Sequence, residues 1–250
     1  MKKIKSFIRN NLNKIGFFRL WQINTLNYEV LYILLFALQN KNIKIIQIGA
    51  NDGNDLLNRF NNDYRKKILY LGIEPQDIPF NKLKTTYENF DNFKFIQECV
   101  GKKGFFNFYY LNKNYEEYCR KNNLPFSNGG NSLIKENLSK RLIRINLEPD
   151  IYISKYEIQV NPLYDILKKN NLDCEQYKNI DLLQIDAEGY DDEVIYNSNL
   201  DFFRPKYINF EYHNLNKTKL ENLVKFLNHK SYECLIYEQS DCLAVLRENI

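Results

Sequence analysis

Apolar residues recur along the chain in short runs, separated by segments with helical spacing. Ile43–Ile48, Ile68–Ile73, Phe93–Val100, Ile180–Ile185 and Tyr207–Tyr212 are β-branched and aromatic runs, and each predicts a strand. Asn54–Phe60, Pro79–Glu88, Pro162–Asn170, Tyr190–Tyr196 and Asn216–Asn228 predict helices between them. In the last of these, Leu220, Leu223, Val224 and Leu227 share one face. Pro79 suits a helix start because its fixed φ is already helical. Phe105–Leu111 alternates with period two and reads as an extra strand, and Tyr152–Val160 as another that leads into the Pro162 helix. Tyr232–Tyr237 and Cys242–Leu246 flank a polar turn and predict a terminal hairpin. Strands alternating with helices predict an α/β fold: a doubly wound sheet of seven main strands, closed by an antiparallel hairpin.

Two regions interrupt this alternation. Residues from about 105 to 155 form an insertion, polar between Asn112 and Ile151, inside a domain spanning 41–250. A long ordered segment of this kind is expected to serve as a substrate loop or lid. Residues 1–40 predict a helical arm packed on the core, with Val30–Leu38 as its apolar part.

Composition narrows the classes. A chain of 250 residues with 44% hydrophobic content buries one full core. Its net charge of +4 is spread along the chain, so a solvated surface is expected and nucleic acid is not an expected partner. Five scattered cysteines without C-x-x-C spacing suggest neither zinc nor a disulfide framework, and a reducing, cytoplasmic location follows. Val30–Leu38 is shorter than the ~20 residues a spanning helix needs, so no transmembrane segment is expected. The basic, aromatic arm (Lys2, Lys3, Phe7, Phe17, Trp21) suits weak contact with a membrane surface or with a second subunit in an oligomer.

The chemistry concentrates at strand ends. Ile48-Gly49-Ala50-Asn51-Asp52-Gly53 is a strand-to-helix turn whose glycines let backbone approach a ligand. Glu74-Pro75 ends the second strand, where a carboxylate holds ribose hydroxyls. The pair indicates a nucleoside-containing cofactor. The turn is not G-x-G-x-x-G, and Asp52 and Asp55 would repel a pyrophosphate. Acids there suit a cation, which favours S-adenosylmethionine over NAD. Asp186 and Glu188 follow the fourth main strand, and Glu211 and His213 end the fifth. All would converge beyond the carboxyl ends of the sheet.

These motifs resemble the FkbM-type methyltransferases. The likeness rests on Ile-Gly-Ala-Asn-Asp-Gly at 48–53, Gly-Ile-Glu-Pro at 72–75, Val160 to Leu167, Ile185-Asp186-Ala187-Glu188-Gly189 and Phe210-Glu211. It covers about residues 43–215. The resemblance implies a class I methyltransferase (Rossmann-like) fold, S-adenosylmethionine as donor, and O-methylation. Expected acceptors are sugars, nucleotide sugars or precursors of surface polysaccharide such as capsule. By position, Gly49, Asn51 and Gly53 would line the methionine and ribose, with Ala50, Asp52 and Pro75 in the same turns. Glu74 would hold the ribose hydroxyls, and Glu98 and Cys99 would flank the adenine. Gln47 stands where many such enzymes carry an acid, so Asp52 or Asp186 would hold the methionine ammonium.

An alcohol acceptor must lose a proton, and His213 is the expected base, grouped with Asp186, Glu188 and Glu211 as the catalytic set. His229, at a helix end, is the weaker candidate. A rival mechanism places Mg²⁺ on Asp186, Glu188 and Glu211, with Asp191 as a further ligand. Asn131, Ser132 and Tyr190, with the aromatics Phe106, Phe108, Tyr109 and Tyr110, are expected to shape a carbohydrate acceptor pocket. The alternatives are an NAD-dependent sugar-modifying enzyme and a non-catalytic nucleotide-binding protein. Abundant Asn, Lys and Ile suggest an AT-rich bacterial genome.

Overall fold

A computed structural model describes residues 42–126, 130–236 and 241–249. The arm expected at 1–40 and the tip of the terminal hairpin lie outside the described residues. In chain order the elements are β1 (Ile43–Ile48), α1 (Asn62–Arg65), β2 (Ile68–Ile73), α2 (Asp77–Tyr87), β3 (Phe93–Ile96), β4 (Cys99–Val100) and β5 (Gly104–Leu111). Then come α3 (Lys113–Lys121), α4 (Lys135–Arg144), α5 (Pro149–Tyr152), β6 (Ile153–Asn161), α6 (Leu163–Lys169), β7 (Leu182–Ile185) and α7 (Asp191–Tyr196). The chain closes with α8 (Leu200–Phe203), β8 (Tyr207–Glu211), α9 (Lys217–His229), β9 (Tyr232–Ile236) and β10 (Asp241–Leu246).

The main sheet has seven strands in the order β3-β2-β1-β7-β8-β10-β9. β1 pairs parallel with both β2 and β7, and β10 runs antiparallel to both neighbours. The order reverses at β1, so the crevice beyond β1, β2 and β7 is the topological switch point where α/β sheets bind ligands. Strand side chains alternate between faces, and both faces are covered. Ile46 and Ile48 pack in one cluster with Leu163 of α6 and Leu223 of α9; Ile45 packs in another with Leu83 and Tyr87 of α2. Helices on both faces explain why the central strands read as continuous apolar runs rather than as alternation.

Three local expectations are corrected. The helix expected at Asn54–Phe60 is a series of turns ending in a short 3-10 segment, Leu57–Arg59, followed by α1. Asn54, Asn58 and Asp52 bond to one another through their side chains, the local competition that keeps Asn and Asp out of helix interiors. The strand expected at Phe93–Val100 breaks at Gln97 and Glu98. β3 completes the main sheet, whereas β4 joins β6 and β5 in a separate three-stranded sheet. Between residues 105 and 155 the described chain is β5, then α3, α4 and α5 around a cluster of Leu111, Tyr115, Cys119, Leu138 and Leu142. Apolar residues at helical spacing in α3 and α4 supply that cluster, and the surrounding polar residues hid it in the sequence.

Candidate functional site

β1 ends at Gly49, whose φ of 73° is readily adopted only by glycine. A Cβ there would lie 1.8 Å from the Asp186 carbonyl oxygen, so the tips of β1 and β7 touch through backbone. The chain then turns through Asn51, also left-handed at φ 48°. That conformation aims the Asn51 N–H at Glu74 Oε2, 2.9 Å away. Glu74 Oε1 accepts from the Gln76 N–H at 3.0 Å and from Gln76 Nε2 at 3.2 Å. Three of about four acceptor positions of this buried carboxylate are filled, and one is left toward the crevice. Burial pushes the Glu74 pKa up against the lowering effect of these bonds.

β7 delivers Asp186 and Glu188 beside it. Glu188 is left-handed at φ 51°, and its carbonyl accepts from Ser132 Oγ at 2.9 Å and Asn137 Nδ2 at 2.7 Å. Residues 130–137 thus form a strap across the sheet's carboxyl edge. Asn131 continues it: its Oδ1 accepts from the Leu111 N–H at 3.1 Å, and its Nδ2 donates to Gln76 Oε1. A hydrogen-bonded chain therefore runs from Glu74 through Gln76 and Asn131 to β5.

The strap and the strand tips line a cleft that is partly open to solvent. Gly49, Asn51, Glu74, Pro75, Glu98 and Cys99 line it, as do Asn131, Ser132, Asp186, Glu188 and Tyr190. Ala50, Asp52 and Gly53 do not. Asp52 turns outward to Lys82 Nζ at 2.6 Å. Burial would raise its pKa, but Lys82 and the Asn54 N–H outweigh this and hold it below the usual value. Gly53 packs on α2, where a Cβ would meet Leu83 and Tyr87 at 2.7 Å. Gln47 is buried in the sheet and accepts from Tyr70 Oη at 2.8 Å. Asp186 is thus the candidate for the ammonium that the cleft presents. Cys99 is buried, and its thiol is pushed up to about 12. It offers a flat apolar surface rather than a nucleophile. Glu98 pairs with Lys169 at 2.5 Å.

The acids share one field. Asp186 is pushed up to about 8 by burial, then by Glu188, Asp191 and Glu211. Its residue surface is open to the cleft, so an occupant there acts on it directly. Glu211 is likewise pushed to about 8, by burial and then by Glu188 and Asp191. Fully buried Asp191 reaches about 7 through burial and accepts from the Gly189 and Glu211 N–H groups at 3.1 and 3.2 Å. Several partly desolvated carboxylates within one field favour a cationic occupant.

His213 lies outside this cleft. Its Nδ1 is 2.9 Å from Glu211 Oε1, and Asn214 Nδ2 donates to Glu211 Oε2 at 3.0 Å. It lines a second cavity, about 490 Å³, that shares Gly130 and Glu188 with the cleft. A third cavity, about 880 Å³, adjoins the other end and includes Tyr110, Phe126 and Tyr156. The expected aromatic cluster is divided: Phe108 faces the cleft, Tyr110 the third cavity, Phe106 packs near Tyr190, and Tyr109 joins the insertion's own cluster. Among the described residues no three His, Cys, Asp or Glu side chains group closely enough to hold a metal ion. Glu211 is taken by His213 and Asn214, and Asp191 by backbone N–H groups. The Mg²⁺ set expected from Asp186, Glu188 and Glu211 does not fit a divalent ion.

The methyltransferase FkbM domain family matches residues 47–234, most of the chain and every element of the cleft. The chain belongs to the FkbM methyltransferase family. The sheet order, with its reversed β10, is the class I methyltransferase arrangement that membership implies. Comparison with curated protein sequences gave no match. Among solved structures, the FkbM chain is similar to the METTL16 MTase domain, at 16% identity and TM-score 0.47, covering 89% of this chain and 67% of that one. It is also similar to Aeropyrum pernix fibrillarin with natively bound S-adenosyl-L-methionine, at 10% identity and TM-score 0.39, covering 82% and 67%. A TehB-like SAM-dependent methyltransferase from Corynebacterium glutamicum matches at 10% identity and TM-score 0.37, covering 97% and 95%.

Sequence reasoning missed Gln76 and Asn137, whose contacts are to a side-chain carboxylate and a distant carbonyl and leave no pattern. It also missed Lys140, Arg141 and Arg144 on α4, which line the His213 cavity. Their i, i+1, i+4 spacing on one helical face was the available signal.

Proposed function

We propose that this S-adenosylmethionine-dependent methyltransferase methylates a hydroxyl of a sugar or sugar-containing precursor, in a reducing, cytoplasmic compartment. One observation carries this reading. Glu188 and Gly130 form a wall common to the acidic cleft and to the cavity that holds His213. Donor and acceptor sites would meet at that wall. The second cavity is also lined by the amides of Asn137, Asn214 and Asn216, which match sugar hydroxyls as donors and acceptors. All five cysteines are unpaired, in keeping with a reducing compartment.

The residues present fit the donor. Glu74 has an acceptor position left for a ribose hydroxyl, and Asp186 offers a carboxylate to the ammonium. When bound, S-adenosylmethionine supplies a methyl group already activated on a sulfonium. The protein then has to align the acceptor, exclude water and remove one proton. Residues 130–133 line the cleft and reduce its exposure to water. With the Nδ1 proton directed to Glu211, His213 presents an Nε2 lone pair to the cavity. Nε2 would take the proton that the acceptor hydroxyl loses, while the sulfonium would give up its methyl group to the hydroxyl oxygen and leave as the neutral thioether. In its ionised form, which is favoured toward pH 8 and by a cation in the neighbouring cleft, Glu211 holds the ring in that tautomer and balances the imidazolium.

The test combines two measurements. Calorimetry with S-adenosylmethionine, S-adenosylhomocysteine and NAD should show binding of the first two alone. A screen of activated sugars for labelled methyl transfer should find an acceptor whose turnover falls at least about a hundredfold in His213→Ala, with unchanged donor affinity. Near-full turnover of that variant removes the base assignment; NAD binding removes the donor site.

A further inference from the structure

The His213 cavity has a charge that the methyl-transfer reading does not require. Lys140, Arg141 and Arg144 of α4 line one side, and Lys219 of α9 faces them. The acids in the same wall are Glu136 and Glu188, and Asp192 pairs with Lys219 at 3.0 Å. Glu188 is raised from its ordinary value, first by burial, with Arg141 and His213 acting against that. Arg141 reaches toward the shared wall, since a Cβ on Gly130 would lie 2.9 Å from its Nη1. Lys140 and Arg144 are exposed, and among the described residues neither has a carboxylate within ion-pair distance. Leu138 and Leu142 bury the opposite face of α4, which fixes the cations toward the cavity. Positions three and four apart on a helix lie about 5–6 Å from one another, a span that suits the oxygens of one phosphate or a diphosphate. Guanidinium groups bind such oxygens in pairs.

We propose that the acceptor carries a phosphate group, as a sugar phosphate or a nucleoside diphosphate sugar does, and that Lys140, Arg141 and Arg144 bind it while its hydroxyl faces His213. This rests on the methyl-transfer reading and narrows it to a charged, low-molecular-weight acceptor. The cationic wall stands beside, not within, the acidic cleft. The donor's positive charge and the acceptor's negative charge are thereby sorted into adjacent sites.

The experiment titrates inorganic pyrophosphate into the full chain, with and without S-adenosylhomocysteine. The wild type should bind it, and Lys140→Gln/Arg144→Gln should weaken binding at least about tenfold. Both side chains are exposed, so unfolding temperature should not move. With phosphorylated sugars, the double variant should raise KM by a similar factor and leave kcat nearly unchanged. Pyrophosphate binding that is absent, or unaffected by the substitutions, overturns the proposal. So does methyl transfer to glucuronate or neutral sugars alone, or to a single-stranded RNA oligonucleotide in preference to phosphorylated sugars. Loss of S-adenosylhomocysteine binding would instead overturn the donor reading, because pyrophosphate is also measured on the ligand-free protein.

Discussion

Gly49 lies so close to Asp186 that any side chain at 49 would occupy the space of the Asp186 carbonyl, the Cβ falling 1.8 Å from that oxygen. The contact is backbone against backbone, so no rotamer relieves it. Gly49→Ala also places a non-glycine residue at φ 73°. Strain of about 1–3 kcal/mol from the backbone alone, with the clash added, should lower stability by at least about 3 kcal/mol. Thermal unfolding would read this, and donor binding should disappear with it. An alanine variant of wild-type stability would show that the strand tips are not fixed against each other.

Glu74 tests the ribose site. Glu74→Gln turns one acceptor oxygen into an amide donor facing either the Asn51 or the Gln76 N–H. Hydrogen bonds to a charged group contribute about 1.5–3 kcal/mol each. Affinity for S-adenosylhomocysteine should fall about tenfold to a hundredfold by calorimetry. Unchanged affinity would remove Glu74 from the donor site.

What the chain disclosed in advance follows from where each interaction lives. Gly49, Glu74 and Asp186 were legible because strand runs place their ends at one sheet edge, and the order of strands does the rest. Asp52 misled because its pairing with Lys82 joins two positions far apart in sequence. Gln97 and Glu98 interrupt a run that periodicity reads as one strand, since sheet membership is decided by pairing partners rather than by the residues themselves. The strap at 130–137 depends on side-chain donors reaching the Glu188 carbonyl, and a backbone acceptor has no sequence signature.

Asn137 gives that strap a separate test. Its Nδ2 and Ser132 Oγ both donate to the Glu188 carbonyl. Asn137→Ala leaves the serine bond and removes about 1 kcal/mol of local stability. Hydrogen exchange at 130–137 should quicken several-fold while the main sheet is unchanged. Donor affinity should weaken a few-fold. Protection unchanged across the strap would show that Asn137 does not hold it.

The last prediction concerns pH. Asp186 and Glu211 are pushed up to about 8 by burial first, and then by Glu188 and Asp191, which act on both. Unfolded carboxylates titrate near 4. Between about 4 and 8 the folded protein therefore binds more protons than the unfolded chain, so stability falls as pH rises through that window. A cation in the cleft favours the ionised forms and draws those pKa values down. Binding of S-adenosylmethionine at pH 7 should release protons, seen as a calorimetric heat that varies with buffer ionisation enthalpy. Affinity and kcat/KM should both rise toward pH 8, and kcat, measured with the donor bound, should level off at lower pH. Asp186→Asn should flatten the affinity profile and reduce the proton count. Proton uptake on binding, or a profile falling between pH 6 and 8, would contradict an acidic cleft built to hold a cation.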